Sequence, residues 1–524
     1  MSKKPNFLFI MTDQQRSDWL GCAGHPVVKT PNIDSLAATG TRFEQFYVAM
    51  PVCMPNRASF MTGRYPSVHG LRFNGSILPT NANSFVDVLR VAGYQTASIG
   101  KSHLQPFSNI DPVDPIDLGE RPIDEAWQID QDQYQKEQPV NFAADAPYDF
   151  PTPYYGFDHV DMVTAHGDKA GGHYRQWFRK HHPDWQALHD PANELPHNYT
   201  CPQAYRTPIP EDSYPTFYIR DRAIDYIEAQ ASKDADDDKP FFAFVSFPDP
   251  HHPFNPPGRY WDMYHPDQFE VDVDYDDHQN PPPPLDYAKS EFAAGRMPKV
   301  KQSAFMDSKE HIKEAMALTA GMTTMVDDAV GAIIDALKAS GQYENTVIIF
   351  NADHGDYMGD CDLLLKGLWP RDSINKVPMI WSDPASRTER VSQAMASTID
   401  LSATIIDRAG LQPYHGIQGK SFVPSITSNA SHRENLLIEF NDSSPRMGFS
   451  EAARVRTIVT EKWQLSVYKD QSWGELYSRV DDPDMVLNLW DNSDFSTIKA
   501  ELISSLAQLL IGQMDESPLA TRQA

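Results

Sequence analysis

At 524 residues the chain is long enough for a large core and too long for one ordinary compact domain, so one large and one small domain are expected. Its formal net charge of -27, from 45 basic against 72 acidic residues, argues against a surface that wraps nucleic acid or lies on anionic lipid. An anionic small molecule is not excluded, because it needs only a local positive pocket.

The run Phe7 to Met11 is too brief for a secretory core, and no run nears the roughly 20 apolar residues of a membrane span. Cys22, Cys53, Cys201 and Cys361 are dispersed, without metal-like spacing. Together these features lead us to expect a cytoplasmic protein without disulfides or membrane contact.

In chain order, Phe7 to Met11 reads as a strand buried on both faces, which puts Asp13 and Gln14 at its carboxyl end. Thr30 to Ala37 reads as a capped helix and Thr41 to Val48 as a second strand, delivering the chain to Cys53 at the start of a further helix. An anion is favoured there, since a helix N-terminus and Arg57 meet at one place. Arg72 to Gly75 is a turn that contains Asn74, and Ser84 to Ala92 is an amphipathic helix. Tyr94 to Gly100 is a strand ending in Lys101 and His103, which alternation puts on one side.

Residues 105-215 lose periodicity and read as a long substrate-side loop region, in which His166, Asp168 and His173 are candidates for touching a substrate. Tyr214 to Ala231 is a helix, followed by an acidic run, Asp234 to Asp238, that reads as a solvated turn. The apolar run Phe241 to Phe247 ends in His251. Residues 265-307 form a second long loop, and Ser308 to Leu337 is the longest helix. Thr346 to Phe350 is a buried strand ending in Asp353 and His354; Lys366 and a strand over Val377 to Trp381 follow.

Alternating helices and apolar strands up to residue 428 predict an α/β fold, a large mostly parallel sheet between helices. Residues 429-524 read as short alternating strands and a helix, Thr497 to Met514. They form a small antiparallel domain whose helix offers a contact for a homo-oligomer.

Asp13, Lys101 with His103, His251, and Asp353 with His354 each follow a separate buried strand. Ligands of open α/β sheets bind outside the carboxyl ends of the strands, so these groups are expected to share one crevice. Asp13, Asp353 and His354, with Gln14 as a neutral oxygen, suit one divalent cation such as Ca²⁺ or Mn²⁺ rather than a thiolate zinc site.

The segments Cys53-Met54-Pro55-Asn56-Arg57, Gly100-Lys101-Ser102-His103, Pro250-His251-His252-Pro253 and Asp353-His354-Gly355 resemble, in this order, the motifs of the formylglycine-dependent (type I) sulfatases of the alkaline phosphatase superfamily. Leu476-Tyr477, Asp482-Pro483 and Asn488-Leu489 resemble the C-terminal signature of the same family. The resemblance implies an alkaline-phosphatase-like fold and a sulfatase. A formylglycine-generating enzyme would convert Cys53 to formylglycine (3-oxoalanine), which would join the metal ligands. It also implies that Arg57 stabilises the hydrate, that Lys101 and Lys366 neutralise sulfate oxygens, that His251 is the general acid and His103 the base, and that Asn74 touches the substrate. Asp13-Gln14 stands where many sulfatases carry two aspartates. That departure resembles the branch containing phosphonate monoester hydrolases, so hydrolysis of a phosphonate monoester or phosphodiester is the alternative. A non-catalytic metal-stabilised relative would lack one of these chemical groups, and none is missing.

Overall fold

A computed structural model describes residues 4–111, 119–123, 125–233, 239–298, 302–428 and 430–523; the acidic run Asp234 to Asp238 lies outside them. An eight-stranded sheet is built from β1 (Asn6–Thr12), β2 (Thr41–Phe43), β3 (Gln95–Gly100), β4 (His159–Met162), β5 (Phe241–Ser246), β6 (Thr346–Ala352), β7 (Met379–Ser382) and β8 (Arg390–Ser392). Their spatial order is β8-β2-β7-β6-β1-β5-β3-β4. All neighbouring pairs are parallel except those of β7, which runs antiparallel to both β2 and β6.

The alternation of β1 sorts the core into two layers. Phe7, Phe9 and Met11 pack on one face with α2 (Cys53–Thr62), α3 (Phe85–Val91) and α6 (Thr398–Arg408). Leu8 and Ile10 pack on the other with α1 (Pro31–Ala38), α4 (Pro215–Ala231) and α5 (Lys309–Ala339). All five side chains are fully buried, each worth about 1.5–3 kcal/mol of apolar burial. By length and composition α5 could cross a membrane, but 89% of its most apolar stretch is buried inside the protein.

A second, four-stranded antiparallel sheet runs in sequence order through β9 (Asn435–Asn441), β10 (Arg454–Thr460), β11 (Trp463–Tyr468) and β12 (Gly474–Ser478), with α7 (Ser496–Ile511) against it.

Several expectations need correction. The strand expected over Thr41 to Val48 is two pieces: Glu44 and Gln45 interrupt it, and Phe46–Tyr47 pairs separately with Ala396–Ser397. The first long loop region supplies β4, an edge strand of the main sheet, and a helix over His173–His181. The second contains a helix, Pro283–Ala293, which its proline run opens because the first helical turn has no use for the missing N–H.

Candidate active site

The strand ends converge as expected, because β1, β3, β5 and β6 are mutually parallel and release the chain at one edge of the sheet. At the end of β3, Gly100 has φ +102°, and a Cβ there would lie 2.0 Å from the Ser246 carbonyl oxygen. Only glycine permits this approach, which lets the Lys101 N–H donate to the Ser246 oxygen at 2.9 Å and seats Lys101 beside the end of β5. Every residue of α2 is buried, and the helix ends at Gly63, whose φ of 62° is left-handed.

Asp13, Cys53, Asp353 and His354 are buried and each offers a ligand atom, all within 4.8 Å of one another. Cys53 Sγ lies 3.1 Å from His354 Nε2 and 3.8 Å from Asp13 Oδ1. His354 Nδ1 donates to the Gly355 carbonyl at 2.8 Å, which leaves the Nε2 lone pair turned toward the other donors. Two carboxylates, an imidazole and residue 53 therefore fit one hard divalent cation.

Arg57, 1% exposed, ties this cluster together. Its Nε donates to Asp353 Oδ2 at 2.7 Å and Nη2 to Asp13 Oδ2 at 3.3 Å, while Nη1 donates to the Lys101 carbonyl and to Ser246 Oγ, each at 2.8 Å. Lys101 Nζ also donates to Asp13 Oδ2. Burial alone would raise the Asp13 pKa; Lys101 and His251 outweigh it, with His166 and Arg57 helping, and hold it well below the carboxylate range. Burial and Asp13 act to raise the Cys53 thiol pKa, but Lys366, His354 and Lys101 bring it below its ordinary value. The site has the field of an anion pocket inside an acidic protein.

Histidines and a second lysine close the solvent side. Lys366 Nζ lies 2.9 Å from His251 Nε2 and 2.7 Å from Gln14 Oε1. His251 Nδ1 donates to the His252 carbonyl at 2.6 Å, so its Nε2 is the acceptor for Lys366. Burial, His166 and Lys366 pull the His251 pKa well below its ordinary value. His166 stacks on His251 with ring centres 3.6 Å apart and meets Lys101 Nζ at 2.5 Å; burial and then Lys101 lower its pKa to about 3. His103 packs its ring on Phe107 at 4.2 Å.

Four of the expected residues have definite partners in the structure. Gln14 reaches the cluster: its oxygen accepts from Lys366 and keeps a second lone pair, and the nitrogen donates to Asp356 at 2.6 Å and faces His252 Nδ1 at 3.2 Å. Its backbone N–H donates to Asp353 Oδ1 at 3.1 Å. His173 is not in the site: its Nδ1 accepts the Met162 N–H at 2.9 Å and its Nε2 faces the Tyr148 carbonyl at 2.9 Å, so both nitrogens fix the insertion's backbone. Asn74 is exposed, and its Oδ1 accepts the Met54 N–H at 3.1 Å, which satisfies an orphan donor in the first turn of α2. Asp168 instead accepts from Asn255 Nδ2 at 2.7 Å.

Sequence reasoning missed Ser246, Asp356 and His252. All three are buried and follow or end strands already implicated, and that position was the available signal.

With this geometry in hand, comparison with known proteins is informative. Residues 5–411 match the family model described as Sulfatase, and residues 366–511 match the one described as N-sulphoglucosamine sulphohydrolase, C-terminal. The chain is 27% identical over 519 residues to an arylsulfatase of Clostridium perfringens, covering 98% of this chain and 95% of that one. It is 24% identical over 502 residues to a choline-sulfatase of Rhizobium meliloti, covering 93% and 83% respectively. The fold also matches the crystal structure of a phosphonate monoester hydrolase of Agrobacterium radiobacter at TM-score 0.75 and 24% identity, covering 99% of this chain and 100% of that one.

Proposed function

This chain belongs to the sulfatase family and is a sulfuric ester hydrolase, and from that premise we propose that its nucleophile is residue 53, after a formylglycine-generating enzyme has converted Cys53 to formylglycine. The observation that carries the reading is the convergence of Asp13, Cys53, Asp353 and His354 on one point, with Arg57 bridging both carboxylates. Cys53 Sγ stands in for the hydroxyls of the formylglycine hydrate.

Asp13, Asp353, His354 and residue 53 would hold one Ca²⁺ or Mn²⁺ ion. When bound, such an ion supplies Lewis acidity, easing loss of a proton from the hydrate and polarising the ester. Lys101 and Lys366 orient the sulfate group and neutralise its oxygens as preorganised cations. Because His251 Nε2 accepts from Lys366 at 2.9 Å, the proton for the leaving oxygen comes from this hydrogen-bonded pair rather than from an isolated imidazolium. His103 takes the proton of the second hydroxyl, sulfate departs, and the aldehyde is restored. His354 is fully buried, whereas Lys366, His103 and His166 keep slight exposure and are the outer groups of the site.

One observation favours a second reading. Asp13-Gln14 stands where many sulfatases carry two aspartates, a departure that resembles the branch containing phosphonate monoester hydrolases, so a phosphonate monoester or phosphodiester at the same nucleophile is the alternative substrate. Parallel rates on an aryl sulfate and an aryl phosphodiester decide between them: a higher kcat/KM on the sulfate ester is expected, and the reverse order would make the second reading the correct one.

A further inference from the structure

Among the described residues His103 Nδ1 is buried without a hydrogen-bond partner, and its backbone sits at φ 56°, in the left-handed region. The imidazole packs on the Phe107 ring with centres 4.2 Å apart, and its direction is set by the backbone conformation at residue 103. That backbone is held from outside the catalytic strands. Glu137, 0% exposed and brought in by the first long insertion, uses Oε1 to accept the N–H groups of Leu104 at 3.1 Å and Gln105 at 3.3 Å, together with the Tyr154 hydroxyl. The same strap adds three bonds. Lys136 N–H donates to Gln105 Oε1 at 3.1 Å, Gln105 Nε2 to the Gln133 carbonyl at 3.1 Å, and Gln138 Nε2 to the Pro106 carbonyl at 2.8 Å.

A buried carboxylate bonded only to neutral donors is unfavourable unless it supports something specific. Successive N–H groups wrapped around one anion are what a strained left-handed turn can offer. We propose that Glu137 is a positioning residue: by gathering the Leu104 and Gln105 N–H groups it holds His103 in the backbone conformation that points its ring into the active site. The proposal rests on the base role given to His103 above.

The test uses the full-length, formylglycine-containing enzyme and four variants: E137M, E137Q, H103A and E137M/H103A. Methionine keeps the volume and removes the acceptor, whereas glutamine keeps an oxygen for both N–H groups. E137M is expected to lower kcat about 10-fold with KM within about 2-fold, the signature of a lost transition-state interaction. E137Q is expected to recover most of that loss. In the H103A background E137M is expected to have no further effect, because a residue acting through His103 is silent once the imidazole is gone. Equal losses in both backgrounds, or a wild-type kcat for E137M, would overturn the proposal. A wild-type rate for H103A would overturn the role of His103 as well, which separates the two failures. Should E137M not fold, Gln105→Ala is run in both backgrounds; it removes two bonds of the strap and is expected to lower kcat only where His103 is present, and equal losses would again overturn the proposal.

Discussion

Replacing Arg57 by alanine removes the guanidinium that bridges both carboxylates of the cluster. The guanidinium makes ion contacts of 2.7 Å to Asp353 and 3.3 Å to Asp13 and two neutral hydrogen bonds of 2.8 Å, all in a fully buried setting. Asp13 keeps Lys101 in the variant, but Asp353 loses its guanidinium partner and keeps the Gln14 N–H at 3.1 Å and His354 Nε2 at 3.7 Å. A buried charge left without its cation costs about 3–5 kcal/mol, so R57A should lose that much stability in the absence of metal. Lysine would not substitute, because one ammonium cannot span Asp353, Asp13 and the Lys101 carbonyl as the planar fork does. Thermal unfolding with and without saturating Ca²⁺ or Mn²⁺ reads this directly. The variant's midpoint should fall in metal-free buffer, and the gap from wild type should narrow when a cation neutralises the same two carboxylates. Turnover of an aryl sulfate should fall about 10³-fold, equivalent to about 4 kcal/mol of lost transition-state stabilisation. A variant with the wild-type midpoint and wild-type turnover would refute the bridging role.

Two further outcomes are expected. Chelation with EDTA should abolish turnover and lower the unfolding midpoint, and Ca²⁺ or Mn²⁺ should restore both; a rate and midpoint indifferent to chelation would contradict the four-donor site. Away from the site, the fully buried Asp400 accepts from Arg433 Nε at 2.7 Å and lies 3.1 Å from His432 Nε2. Burial would raise its pKa, but Arg433 and His432 outweigh that and hold it well below the carboxylate range. Because the folded pKa is depressed, this stability is full above the unfolded value of about 3.9 and is lost as pH falls below it. D400N should therefore cost about 3–5 kcal/mol near neutral pH, with the deficit against wild type shrinking in acid. Denaturant melts at neutral and acidic pH measure it, and a deficit that grows in acid would contradict the assignment.

The strand ends were legible because buried parallel strands announce themselves as continuous apolar runs, and the residue after each run must lie at one edge of the sheet. Asp13, Lys101, His251 and Asp353 follow from that rule alone. Cys53 was legible from its motif, and Arg57 from its spacing one helical turn along. The insertion was not legible. His159–Met162 is a four-residue edge strand with one exposed residue, too short to show alternation, yet it pairs with β3 and leads the chain toward His166. Nor could spacing reveal that His173 spends both nitrogens on Met162 and Tyr148, or that the Gln14 amide turns to Lys366 and Asp356; such pairings are fixed by tertiary neighbours far away in the chain. The split of Thr41 to Val48 arises because Phe46–Tyr47 leaves the main sheet to pair with Ala396–Ser397, a partner some 350 residues on.

The most direct measurement is mass spectrometry of the peptide containing residue 53, from protein made with and without a formylglycine-generating enzyme, read alongside aryl sulfate turnover of the same preparations. Turnover should rise in proportion to the fraction of Cys53 carried as the aldehyde and vanish in C53A. Full sulfate-ester turnover from protein whose Cys53 is wholly an unmodified thiol would contradict the proposed nucleophile.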